Sequence, residues 1–180
     1  MHKNISIAIS LILLAANNAA AEPSSLCKKN ENIYFSCTTR SGKIISLCGD
    51  AFGQDEFGRP TEMDNPWLQY RFGSPAKIEL SYPPQKRNSL KNFHSDKIRA
   101  MRGEIRLDAV FFASAGFAYS VEKVVSDNGE IFEGVNVGDA QDSGIATGGK
   151  HKKQLPHVSI PCKENANTAL FFDLVDFLGK

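Results

Sequence analysis

Apolar and polar residues alternate along most of the chain between Ile33 and Val137. A two-residue period is typical of β-strands with one buried face, and the aromatic and β-branched residues that favour strands are frequent in it. Turn-forming residues separate the runs, so neighbouring runs are predicted to pair as hairpins. The predicted pairs are NIYFSCTT with KIISLC, WLQYRFG with KIELSY, and GEIRLDAVFF with GFAYSVEKVV, which also meets EIFEGVNV across Asn128-Gly129. We therefore predict a mainly β fold in which an antiparallel sheet curls into a small barrel or sandwich.

Three polar segments rich in Pro, Gly or Lys interrupt this pattern, at residues 51–66, 83–98 and 138–157. We predict that they are surface loops, with a short helical turn in the second. The C-terminal sequence NTALFFDLVDFLGK has a different period, because its apolar residues recur every three or four positions. These apolar residues are Leu170, Phe171, Leu174, Val175 and Leu178. The spacing predicts a short amphipathic helix that packs on the sheet.

Residues 1–21 have the three parts of a secretory signal: an early Lys3, the apolar run ISIAISLILLAA, and small residues up to Ala21. The apolar run is shorter than the roughly 20 residues that a membrane-spanning helix needs. We therefore predict cleavage after Ala21, no membrane insertion, and a periplasmic or secreted protein. Residues 22–180 are long enough for a single β-rich domain with its own core.

The four cysteines all follow the predicted signal. An even number of cysteines in an exported chain predicts two disulfides rather than free thiols. A two-residue turn at Ser41-Gly42 would place Cys37 and Cys48 diagonally on one face, roughly 7 to 8 Å apart, which exceeds the usual span of a disulfide. A three-residue turn would place them on opposite faces. Both geometries favour Cys37–Cys162 and Cys27–Cys48, whereas a four-residue loop would allow Cys37 to bond Cys48.

Composition gives little support for a charged partner. The chain has 21 Lys and Arg against 20 Asp and Glu, so bulk charge predicts neither nucleic acid nor an anionic membrane as partner. The string GIATGGKH, residues 144–151, lacks the Ser or Thr that completes a phosphate-binding loop. The histidines lack the close spacing to other ligands that zinc sites show. We expect no cofactor and no metal.

Catalytic signals are also weak in the sequence. Ser114 lacks the complete pair of flanking glycines of a nucleophile elbow, G-x-S-x-G. A minor alternative is an envelope hydrolase that uses polar residues of the second loop segment, such as His94 and Asp96, as acid and base. The main prediction is a protein without enzymatic activity.

Two resemblances add to these predictions. The blocks YFSC, GKIISLC, WLQYRFGSPAKIELSYP, GFAYSV, GVNV and a late PC, taken in this order, resemble a family of uncharacterised exported bacterial proteins. That likeness covers most of the residues after the signal. It implies export and the β fold, and no particular activity.

The second resemblance is to the periplasmic and membrane-bound inhibitors of C-type lysozyme. YFSC with Cys37 and IPC with Cys162 are similar to the early strand and the late bonded cysteine of that family. AGFAY is similar to its loop motif S-G-x-x-Y, with Gly116 and Tyr119 at the matching positions. Ala115 stands where the family has its serine, and Ser114 comes one position earlier. The resemblance implies that this hairpin tip enters the cleft of a partner.

The sequence thus predicts a non-enzymatic binding protein with a protein partner, for which lysozyme is the specific candidate. The predicted binding residues are Ser114, Ala115, Gly116 and Tyr119. The alternatives are an immunity or envelope-stability protein with another partner, and the envelope hydrolase described above.

Overall fold

The computed structural model describes residues 25–100, 105–140 and 157–180. The predicted signal peptide, residues 1–21, therefore lies outside the described residues. The described ranges contain eleven strands, one 3₁₀ turn and one α-helix, so the predicted mainly β fold with a C-terminal helix is confirmed. The strands are β1 Asn32–Thr38, β2 Ile44–Asp50, β3 Gly53–Gln54, β4 Pro60–Thr61, β5 Trp67–Ser74, β6 Lys77–Tyr82, β7 His94–Arg99, β8 Ile105–Ser114, β9 Phe117–Ser126, β10 Ile131–Asp139 and β11 Val158–Pro161; the 3₁₀ turn is Leu90–Asn92 and the helix α1 is Phe171–Leu178.

The strands form two larger sheets and one small hairpin. The first sheet has the order β1-β2-β5-β6, the second has the order β11-β10-β9-β8-β7, and β3 pairs with β4 alone. All of these pairings are antiparallel. In the ranges that the structure describes, neither sheet closes on itself. Of the two arrangements that the sequence left open, two facing sheets are found, with no closed barrel in these ranges.

Aromatic rings join the inner faces of the two sheets. Phe112 of β8 stacks flat on Tyr119 of β9, with ring centroids 4.7 Å apart, and on Tyr82 of β6, at 4.9 Å. Tyr70 of β5 lies 5.0 Å from Phe112. Such ring pairs add about 0.5–1.5 kcal/mol each beyond the burial of their area. The alternation read in the sequence thus corresponds to one face of each sheet turned into a shared core.

The helix α1 covers one side of this core. Its buried residues are Phe171, Leu174 and Val175, and the Phe171 ring meets the Phe35 ring edge-on at 5.3 Å. The Ser95 hydroxyl of β7 donates a hydrogen bond to the Val175 carbonyl at 2.6 Å. No helix among the described residues is long and apolar enough to cross a membrane.

The first hairpin explains why the two cysteines that flank it bond elsewhere. The Thr39 N–H donates to the Lys43 carbonyl, and Gly42 has φ +77°, so the turn has three residues, which is one of the geometries considered from the sequence. Cys37 faces Ile45 across the pair, which puts Cys37 and Cys48 on opposite faces of the sheet. The predicted bonds are confirmed: Cys27–Cys48 has a Cα–Cα distance of 5.3 Å and Cys37–Cys162 has one of 5.7 Å.

The chain changes sheets directly after β11. The Cys162 N–H donates to the Glu133 carbonyl of β10 at 2.8 Å, while the Lys163 N–H donates to the Thr38 carbonyl of β1 at 2.7 Å. Further on, Asn167 and Ser36 exchange backbone hydrogen bonds. We call residues 162–167 the crossing segment. It joins the edge of one sheet to the edge of the other, and Cys37–Cys162 fixes it there.

Two of the three predicted loops contain strands. The segment 51–66 carries β3 and β4, and the segment 83–98 carries the 3₁₀ turn and most of β7. β7 was missed because both of its faces carry polar residues: one side contacts α1 and the other is exposed. The third segment, 138–157, begins with the end of β10, and residues 141–156 lie outside the described ranges.

Candidate functional site

The predicted site lies at the tight turn of the hairpin formed by β8 and β9. The two strands pair in register as far as Ser114 opposite Phe117, which leaves a turn of only Ala115 and Gly116. Both turn residues have positive φ, +52° and +84°, as two-residue type I′ hairpins require. Ala115 therefore holds the left-handed conformation that disfavours a non-glycine residue by about 1–2 kcal/mol. A strained backbone at an exposed position is a feature often found at binding sites.

The structure separates the four predicted binding residues into two groups. Ala115 and Gly116 are exposed and Ser114 is half-buried, so these three form the outer end of the hairpin. Tyr119 instead points into the space between the sheets, where it stacks on Phe112 at an interplanar angle of 2°. We call residues 114–116 the hairpin tip. Tyr119 lies beneath the tip as a support.

The end of β10 braces the tip. The Ala140 N–H donates a hydrogen bond to the Gly116 carbonyl at 3.1 Å, and Asp139 pairs with Phe117 across the sheet. Ala140 is itself buried. The tip is therefore held from below by stacked rings and from the side by a backbone hydrogen bond, which favours one fixed shape.

The two tyrosines below the tip share a buried environment. Tyr70 is almost fully buried, and its burial raises the pKa of its hydroxyl well above the ordinary value, with the neighbouring Tyr119 adding to the effect. Burial also raises the pKa of Tyr119. Both hydroxyls therefore stay protonated and neutral at any physiological pH. Their contribution beneath the tip is packing rather than charge.

A second concave region lies beside the crossing segment. It is an open groove of about 300 Å³, bordered by the turn between β1 and β2, the start of β10 and the chain after β11. Its one buried carboxylate, Glu133, is already engaged, since it pairs with Lys123 at 2.7 Å and accepts the Ala166 N–H at 2.6 Å. The lining residues are Arg40, Ile131, Phe132, Glu133, Pro161, Cys162, Lys163, Glu164 and Asn165.

A buried ion cluster lies on the outer face of the first sheet. The Glu31 carboxylate accepts hydrogen bonds from both terminal nitrogens of Arg71, at 2.6 and 3.0 Å, and from Lys86 Nζ at 2.8 Å. Burial alone would raise the pKa of Glu31, but the hydrogen bonds from Arg71, Lys86 and the Lys28 N–H together lower it to about 2. Arg71 also donates to the Leu26 carbonyl at 2.8 Å. The cluster therefore holds the N-terminal segment against the sheet.

One group in this region has the residue types of a metal site. The sulfur atoms of Cys27 and Cys48 and a carboxylate oxygen of Glu31 lie within 4.8 Å of one another. The two sulfurs are bonded to each other at 2.04 Å, so neither is a thiolate that could bind a metal. Glu31 is occupied by its cationic partners. These atoms form a structural staple rather than a ligand set.

The residues of the hydrolase alternative lie on an edge strand. His94 is opposite Phe111 and Asp96 is opposite Ala109 in the pairing of β7 with β8. Both side chains are exposed, on the face turned away from the core. The string at 144–151 lies outside the described residues.

A row of charges on the inner face of the second sheet was not predicted from the sequence. Asp108, Lys123 and Glu133 stand side by side on β8, β9 and β10. Arg99 of β7 pairs with Asp108 at 2.6 Å. Alternating charges on neighbouring strands stabilise the pairing of a sheet, and no sequence signal links residues so far apart.

Comparison with protein-family models, curated proteins and solved structures finds no match to this chain.

Proposed function

We propose that the protein is an exported, non-enzymatic binding protein that inserts its hairpin tip into a cleft of a protein partner. The observation that carries this proposal is the exposed turn at Ala115 and Gly116, which is small, strained and braced. Two disulfides support the exported location, because such bonds persist mainly in oxidising compartments.

The rigidity of the tip supports binding by insertion. A segment that already holds its bound shape loses little conformational entropy when it binds. Small residues at the tip allow the backbone to approach the walls of a narrow cleft closely. The lysozyme cleft is the specific candidate, on the resemblance of AGFAY to the inhibitor motif, and here Ala115 leaves the contact to backbone groups and Ser114.

The proposal is tested by the lysis of cell-wall suspensions by C-type lysozyme in the presence of the purified protein. We expect a micromolar dose to slow lysis. The variant Ala115→Asp tolerates the left-handed backbone and places a charge at the tip, so we expect it to lose at least tenfold in inhibition. The matched control is Ala76→Asp at the exposed turn between β5 and β6, which should inhibit like the unchanged protein.

Two results would count against the proposal, and each excludes a different part of it. Lysis at full rate in a large excess of protein removes lysozyme as the partner. Equal inhibition by Ala115→Asp and Ala76→Asp removes the hairpin tip as the contact, whatever the partner is.

A further inference from the structure

A second exposed hairpin, formed by β3 and β4, is closed by one carboxylate. Asp55 Oδ1 accepts the N–H groups of Phe57 and Arg59, both at 2.9 Å, and Asp55 Oδ2 accepts Arg59 Nε at 2.7 Å. The Asp55 N–H donates to the Arg59 carbonyl at 3.0 Å. These hydrogen bonds lower the pKa of Asp55, and the backbone contribution of Arg59 is the largest. The end of this hairpin therefore has a defined shape although it is exposed.

The base of the same hairpin is anchored in the core. Phe52 is buried, and its ring lies 5.4 Å from that of Tyr34 and 5.4 Å from that of Phe177 on α1. The Ala51 N–H donates to the Tyr34 hydroxyl at 2.7 Å. The hairpin thus projects from a fixed base.

Phe57 stands at the outer end of this hairpin. Its side chain is 73 % exposed, the highest value among the exposed large apolar residues of the described ranges. Burying a Phe side chain in an apolar site of a partner is strongly favourable, because it removes a large apolar area from water. The Arg59 guanidinium lies over the ring, 5.1 Å from its centroid. Aromatic residues and arginine, fixed before binding, are frequent among the residues that dominate protein interfaces.

The charges in the segment that carries Phe57 indicate the chemistry of its partner. The segment 51–66 has four carboxylates and one arginine, and that arginine is paired with Asp55. The other three, Glu56, Glu62 and Asp64, are exposed. Uncompensated negative charge is repelled by anionic lipid surfaces and attracted by lysine and arginine side chains.

We propose that the β3–β4 hairpin is a protein-docking site in which Phe57 enters an apolar pocket rimmed by lysine or arginine residues of a partner protein. This site is separate from the hairpin tip at 114–116. The proposal for the β3–β4 hairpin holds whether or not the partner of the hairpin tip is lysozyme.

The first experiment replaces single residues of the full chain with a photoreactive amino acid and irradiates it in an extract of the envelope of its native host. Phe57→p-benzoylphenylalanine should cross-link to a protein, at a residue inside an apolar pocket bordered by Lys or Arg. The matched control is Ile78→p-benzoylphenylalanine, because Ile78 is also an exposed apolar residue, at 47 %. Equal cross-linking from both positions, or a linked residue with an acidic rim, would overturn the proposal.

The second experiment titrates the protein identified by the cross-link, after purification, against variants of this chain. We expect Phe57→Ala to weaken binding at least tenfold, and Ile78→Ala to leave it unchanged. The double variant Glu56→Lys with Glu62→Lys should also weaken binding, and raising the ionic strength from about 0.05 to about 0.5 M should weaken it in the unchanged protein. An unchanged Kd for Phe57→Ala would refute the proposal.

Two other occupants of the site are tested directly. We expect no co-sedimentation with vesicles of phosphatidylethanolamine and phosphatidylglycerol, and a monomer by analytical ultracentrifugation. Vesicle binding or self-association that Phe57→Ala abolishes would assign the site to a lipid surface or to a second copy instead. None of these measurements uses lysozyme or the tip at 114–116, so the two proposals fail separately.

Discussion

At the scale of single residues, two residues occupy positions that are unfavourable for their type: Ala115 in its backbone conformation and Glu31 in its burial. Ala115 has a backbone conformation that suits Gly or Asn better. Glu31 is an almost fully buried carboxylate that stays charged because two cations and an N–H surround it. Each residue gives a prediction that does not depend on the partner.

Ala115→Asn should stabilise the protein. Asn followed by Gly is the preferred pair for a two-residue type I′ turn, so the backbone strain at this position is reduced. We expect the free energy of unfolding, measured by urea titration, to rise by about 0.5–1 kcal/mol. Ala76→Asn lies in a turn where the described φ angles are not positive, and it should give no gain. An equal gain in both variants would contradict the explanation by backbone strain.

Glu31 should make the protein sensitive to acid. The folded-state pKa, about 2, is below the ordinary value of 4.5. The stabilisation from this carboxylate is therefore fully present above pH 4.5 and is lost as the pH falls towards 2, with a total of about 3 kcal/mol. Urea titrations across this range should show a shallower loss of stability in Glu31→Gln than in the unchanged protein. Parallel pH profiles for the two proteins would refute this role.

At the scale of elements, strand pairing followed from the sequence wherever one face of a strand is apolar and the other polar. The hairpins around Gly42, Gly129 and Ala115 were all located in this way. β7 was not found, because Ser95, Lys97 and Arg99 face polar groups of α1 and β8 instead of an apolar core. A polar strand whose partners are supplied by tertiary structure leaves no two-residue period to read.

The candidate site was only partly readable for the same reason. The small residues at 114–116 signal a turn, and the structure has one there. The direction of Tyr119 depends on the register, which in turn depends on whether the turn has an even or an odd number of residues. Arg71 is 40 positions from Glu31, so no local pattern could link the two.

Phe112 should dominate the contact between the sheets. Its ring lies between those of Tyr82 and Tyr119, and it is fully buried. We expect Phe112→Ala to reduce the free energy of unfolding by about 3–5 kcal/mol. Phe132→Ala, on the half-buried outer face of the second sheet, should have less than half of that effect. Similar losses in urea titrations of both variants would contradict this account of the core.

At the scale of the whole molecule, two disulfides act over very different lengths of chain. Cys37–Cys162 joins residues 125 positions apart, and Cys27–Cys48 joins residues 21 positions apart. If the bonds stabilise mainly by restricting the unfolded chain, the longer loop contributes more, about 5 kcal/mol against about 3 kcal/mol. The cysteine count and the hairpin geometry favoured this pairing, and a four-residue loop that allows Cys37–Cys48 was left as the alternative.

This difference is measurable with two double variants. Cys37→Ser with Cys162→Ser should lower the free energy of unfolding by more than Cys27→Ser with Cys48→Ser, because more entropy returns to the unfolded chain. Urea titrations without a reducing agent compare the two directly. A larger loss from the shorter loop would show that local contacts of Cys27, rather than loop length, determine the contribution.

The crossing segment also governs the order in which this protein can be completed. The free edge of β1 receives its hydrogen-bonding partners from residues 162–167, which a ribosome releases only after strands β2 to β11. Until they arrive, the first strand exposes an unpaired edge of the kind that promotes aggregation. A chain that stops before Cys162 should therefore aggregate more readily than one that includes residues 162–167.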